Sequence, residues 1–177
     1  MAIIQPVKVS NADANTATTL NAVKSKLGMV PNLIATFAHS KPVLDSYLQF
    51  SENLTHGLLT GKQREMIALA VAQVNLCRYC LSAHTMLGKV AGLNEAEIDR
   101  ARRGGAVGAI DDLIVSFAKK IVVSRGMLDL GTIDDLRAKG LTDALIIEVI
   151  ANVIINIMTN YTNNIADTVV DFPLVNL

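Results

Sequence analysis

The chain has 177 residues, with 16 Lys and Arg against 16 Asp and Glu, and so no net formal charge. It is 51% hydrophobic but only 4% aromatic, with no Trp. Such a chain is long enough to bury a core. It lacks the basic footprint and stacking platform of a nucleic-acid binder, and its two cysteines are too few for a disulfide framework.

Residues 1–9 show no basic stretch followed by a long apolar run, so they do not read as a signal peptide, and the expected location is the cytoplasm. The apolar runs are Ala-rich and spaced for helices, which predicts an all-α fold in one domain over 1–177. A helix is expected over 13–27, stopped by Gly28. Pro31 then opens a short helix to about residue 39. Ser40, Lys41 and Pro42 restart the chain into a helix over 43–56, with Gly57 as the stop.

Thr60 with Gln63 reads as a capping box for a helix whose apolar face carries Met66, Ile67, Leu69, Ala70 and Val74. A second helix is expected over 77–90, ending near Gly92. Asn94 with Glu97 forms another capping box, opening a helix to about residue 103. Gly104, Gly105 and Gly108 make a connection to a helix over 111–124. A short helix follows from Thr132 to Gly140, and Thr142 caps a long last helix to about residue 167. The tail after Val169 contains Pro173 and is expected to be extended.

On the last helix, Glu148, Asn152, Asn156, Thr159 and Asn163 recur at spacings of three and four and form one polar stripe. The apolar stretch 144–158 is interrupted by three of them and reads as too short and too polar to span a membrane. The aliphatic excess predicts burial beyond a monomer core, hence a homo-oligomer using this helix, with Ile150 and Ile154 at its contact surface.

The chemistry concentrates at Cys77, Cys80 and His84. At i, i+3 and i+7 on a helix they share a face. If Cys77 begins that helix, the exposed N–H groups and the dipole favour a thiolate, and His84 can take the thiol proton. A dithiol of this spacing can close to a disulfide and be reopened by another dithiol. Two other readings remain open: small buried hydrophobes, or a zinc site with Glu65 or His56 as fourth ligand. Tyr79, between the cysteines, is a packing residue whose hydroxyl can donate to an oxyanion or a bound peroxide. Were residues 60–90 one straight helix, Glu65 would stand roughly 22 Å from Cys80. A break between two helices near Asn75 to Cys77 is therefore expected if the carboxylate serves the dithiol.

These residues resemble a known family. Glu65 with Ile67-Ala68-Leu69-Ala70-Val71-Ala72, then Asn75-Leu76-Cys77-Arg78-Tyr79-Cys80-Leu81-Ser82-Ala83-His84, is similar to the core motif of alkylhydroperoxidase D-like proteins in the carboxymuconolactone decarboxylase superfamily. The likeness extends to Gly28-Met29-Val30-Pro31-Asn32-Leu33, Asn160-Tyr161-Thr162-Asn163, Ala166-Asp167 and Asp171-Phe172-Pro173, and is greatest to the peroxidase-related branch.

The resemblance implies an all-helical protein assembled as trimers or hexamers, and a disulfide-cycling peroxidase without metal or other cofactor. It implies that Cys80 is oxidised by a hydroperoxide, that Cys77 resolves it, and that His84 and Glu65 form a proton relay; in that relay we expect the carboxylate to act through a water. A lipoylated or thioredoxin-like dithiol protein would be the reductant. Well-studied members carry His where this chain has Tyr79, and the decarboxylase members lack the cysteine pair. The alternatives are a metal-binding or redox-sensing module without turnover, and a non-redox reaction on small carbonyl or lactone substrates, with Glu65 and His84 as acid and base.

Overall fold

The computed structural model describes residues 2–177. Among the described residues the regular structure is helical throughout, with one 3-10 turn at Val9–Asn11 and no strand. The helices are α1 (Ala14–Leu27), α2 (Asn32–Phe37), α3 (Lys41–Leu54), α4 (Gly61–Val74), α5 (Arg78–Val90), α6 (Glu95–Arg102), α7 (Ala109–Ser124), α8 (Thr132–Ala138) and α9 (Asp143–Ala166).

Local chemistry sets the helix ends. Asp13 accepts from the N–H groups of Asn15 and Thr16 to start α1, and Gly28 ends it at φ 79°. The capping boxes at Thr60 and Asn94 are both complete. Thr142 accepts from Leu145 N–H to start α9.

Helix α4 is the centre of the molecule. Residues 66–72 are consecutively buried, and the alternating alanines at 68, 70 and 72 let neighbouring helices approach closely. One core surrounds Met66, Leu69 and Ala70 and includes α1, α2 and α5 residues. The second surrounds Ile67 and Val71 and is closed by α7, α8 and α9. Truncating Leu69, which has no exposed surface, would cost about 2–5 kcal/mol.

The break between α4 and α5 is sharp. Cys77 N–H reaches back to Ala72 O at 2.9 Å and Leu76 N–H to Gln73 O at 3.3 Å, the two closures of a Schellman motif. The left-handed position of that motif is usually glycine; here it is Leu76 at φ 52°, 63% exposed. The turn sends α5 back along α4 and makes Cys77 the N-cap of α5.

Helix α9 turns its polar stripe inward. Asn152, Asn156, Thr159, Asn160 and Asn163 are buried, whereas Ile147, Ile154, Tyr161 and Ile165 are exposed. Ile150 is half-buried against the second core, so it is a packing residue as well as a contact candidate, unlike Ile154. At 24 residues α9 is long and apolar enough to cross a membrane, which corrects the expectation that it is too short. Its inward asparagines and fully buried Val149 and Val153 make it a core helix of this fold.

The extended tail straps the first half to the last. Asp171 accepts from Asn32 N–H at 2.7 Å, Phe172 packs edge-on to Tyr79 at 5.6 Å, and Val175 N–H donates to Ser82 Oγ at 3.1 Å.

Candidate active site

The α4–α5 turn brings Glu65 and His84 together. His84 Nδ1 lies 2.8 Å from Glu65 Oε2, a direct contact rather than one through a water. With Glu65 as carboxylate, Nδ1 carries the proton, which leaves Nε2 for the thiol or a substrate. Burial alone would lower the His84 pKa, but the charge and hydrogen bond of Glu65 outweigh it and the net shift is upward.

Cys77 Sγ and Cys80 Sγ are 2.7 Å apart as free thiols. Cys77 Sγ also accepts from Cys80 N–H at 3.3 Å, the role of a helix cap. Asn163 on α9 donates through Nδ2 to Cys80 Sγ at 3.3 Å.

The two thiols are pushed in opposite directions. Burial raises the Cys80 pKa, but the Cys77 hydrogen bond, the His84 charge and the Asn163 and Asn160 amides more than compensate and bring it down to about 7. Cys77 is pushed well up, first because it donates to Cys80 and then by burial. Cys80 is thus the sulfur poised as thiolate and Cys77 the one that keeps its proton.

Cys80, Glu65 and His84 border one cleft of about 230 Å³, and Cys77 does not. Its walls include Leu33, Leu54, Ala68, Ala83 and Ile155, with Arg64, Tyr47, Asn152 and Asn156 as polar members. The Tyr47 pKa is pushed up to about 12, by burial first and then by the negative charge of Cys80 and Glu65, so its hydroxyl stays a donor. Tyr79 also borders the cleft, but its hydroxyl accepts from Leu33 N–H at 3.2 Å and so ties α5 to α2.

The other histidines stand apart from the dithiol. His39 Nε2 contacts Gln5 O at 2.8 Å, and exposed His56 lies 3.7 Å from Glu52. Among the described residues no three His, Cys, Asp or Glu side chains are grouped as metal ligands.

Arg64, Tyr47 and Asn160 were not marked as site residues by sequence reasoning, and Asn163 only as part of a stripe. The signal for Asn163 was that stripe; what the sequence lacks is the direction in which it faces.

Residues 41–118 match the sequence model of the carboxymuconolactone decarboxylase family. The match covers 78 of the 177 residues. No curated protein matches the chain in sequence. Among solved structures, the fold is shared with a peroxidase-related protein with an alkylhydroperoxidase AhpD core from Ralstonia eutropha JMP134, at TM-score 0.85 and 21% identity over 96% of this chain and 92% of that one. A peroxidase-related protein from Silicibacter sp. TM1040 gives TM-score 0.81 and 23% identity, over 94% and 91%. The debrominase Bmp8, as a cysteine-to-alanine variant in complex with 2,3,4-tribromopyrrole, gives TM-score 0.79 and 17% identity, over 96% and 91%. The all-helical AhpD-like fold therefore serves more than one chemistry, and the residues of the cleft must decide the reaction.

Proposed function

We propose that this protein is a dithiol peroxidase that reduces hydroperoxides through a Cys77–Cys80 disulfide. The observation that carries the reading is the asymmetry of the pair: Cys80 borders the cleft beside His84 and Glu65, and Cys77 stands behind it at 2.7 Å.

His84 takes the Cys80 proton, and Glu65 holds the resulting imidazolium. The thiolate attacks the distal oxygen of the hydroperoxide. The O–O bond breaks, Cys80 becomes a sulfenic acid, and the alkoxide leaves as the alcohol with the proton from His84. Cys77 then displaces the sulfenic hydroxyl as water and closes the disulfide. An external dithiol returns both thiols and is itself oxidised to a disulfide.

Both sulfurs are nearly without exposed surface, which favours a slender lipoyl-type arm over a thioredoxin-like domain as the reductant. The cycle suits a reducing compartment such as the cytoplasm. The exposed aliphatic face of α9 supports a homo-oligomer, and the family resemblance supplies its expected form, a trimer or hexamer.

Stoichiometric hydroperoxide, followed by a thiol count and mass mapping, tests the reading. Two thiols should be lost per chain, with Cys77 linked to Cys80. In Cys77→Ser a dimedone adduct should form on Cys80, and Cys80→Ser should consume no peroxide. An adduct on Cys77 instead would reverse the two roles. No oxidation at either sulfur under excess peroxide would reject the peroxidase.

A further inference from the structure

Arg64 borders the cleft with no anionic partner. Its guanidinium has five N–H donors, and its hydrogen bond within the protein is Nη1 to Leu59 O at 2.6 Å. The carboxylates next to it in sequence or through Leu59 are engaged elsewhere. Glu65 is on His84, and Glu148 accepts from Leu58 N–H at 2.6 Å and Leu59 N–H at 3.2 Å. Arg103 and Arg137, by contrast, are paired with aspartates on the surface.

Arg64 is half-buried and oriented by a loop that Glu148 itself fixes. A planar guanidinium held this way, with donors to spare, is matched to a carboxylate, which it can grip bidentately.

The cleft also has a size. At about 230 Å³ it far exceeds the roughly 10–15 Å³ that a single water requires, so hydrogen peroxide would leave most of it empty. It is smaller than the about 300–1,000 Å³ of pockets that enclose drug-sized ligands. Leu33, Leu54, Ala68, Ala83 and Ile155 supply an aliphatic wall, and Cys80 and Arg64 face the same space.

We propose that the cleft selects a small organic hydroperoxide bearing a carboxylate: Arg64 holds the carboxylate, the aliphatic wall holds the carbon body, and Cys80 receives the distal oxygen. The redox step is the one written above, on which this assignment of substrate class rests.

The test compares 4-hydroperoxy-4-methylpentanoate with its methyl ester, which differ in charge at one end. In the wild type kcat/KM for the acid should exceed that for the ester by about tenfold or more, the worth of a charge-assisted hydrogen bond. The acid-to-ester ratio should fall toward one in Arg64→Gln and stay intermediate in Arg64→Lys, which keeps the charge without the fork. Raised salt should lower the acid rate alone.

A second arm needs no peroxide chemistry. Calorimetry on Cys80→Ser should show binding of 4-methylpentanoate, weakened about tenfold or more by adding Arg64→Gln. A thermal melt of each variant separates loss of the site from loss of the fold. Carboxylate binding through Arg64 with no thiol oxidation by either hydroperoxide would uphold the anion site and reject the peroxidase. Equal wild-type rates for acid and ester, with the disulfide forming from both, would overturn the anion site and leave the peroxidase standing.

Discussion

Asn163 donates its amide to the sulfur of Cys80 across 83 residues of sequence, from the last helix to the first turn of α5. Asn160, one turn earlier, is held through its Oδ1 by Asn75 and has a buried Nδ2 with no hydrogen-bond partner. The two amides place donors where a thiolate needs them. Asn163→Ala should raise the Cys80 pKa by about one unit, the equivalent of one charge-assisted hydrogen bond. The pH dependence of iodoacetamide labelling, mapped to Cys80, reads this directly, and an unmoved profile would remove Asn163 from the site.

The Glu65–His84 contact predicts a paired pH response. His84 is raised, so its imidazolium stabilises the fold fully below its ordinary value of about 6.5 and that contribution is lost as pH rises through the folded value. Cys80 is depressed, so its thiolate contributes above the ordinary thiol range and the contribution is lost as pH falls through about 7. Glu65→Gln should let the His84 pKa drop, seen in the imidazole NMR titration, and should slow peroxide reduction by about 10²-fold with the fold retained. An unshifted imidazole would mean that Glu65 does not set its charge.

Leu76 occupies a backbone region that costs a non-glycine residue about 1–2 kcal/mol. Its side chain is largely exposed and gives little packing in return. Leu76→Gly should therefore stabilise the protein by about 0.5–1 kcal/mol in urea unfolding, after the added chain entropy of glycine. A loss of stability would show that the leucine side chain has contacts worth more than its strain.

The outward aliphatic face of α9 predicts a subunit contact. Ile154→Lys should shift the species seen by light scattering toward smaller assemblies while the helical spectrum is kept. A wild-type monomer at micromolar concentration would remove the contact.

The helices were legible because their ends are written in side chains: Thr60, Asn94 and Thr142 each cap the helix they were expected to cap. The break at 75–77 was legible from the distance Glu65 must cover rather than from a stop signal, since Leu76 stands where a glycine would announce the turn. The sequence showed which residues of α9 share a face but not which face is inside. Periodicity is identical for a polar stripe turned to solvent and one turned to a cleft. Arg64 was invisible for a different reason: an arginine in the first turns of a helix is ordinary, and only the folded cleft shows that it lacks a partner.

The bond from Asn163 to Cys80 also has a consequence for how the chain is made. At about 5–20 residues per second, a ribosome takes roughly 4–17 s to add the 83 residues between them. During that interval Cys80 lacks the amides of α9, which help to hold its thiol below the ordinary range. The docking of α9 therefore completes the set of donors around Cys80 in the same event that shelters it.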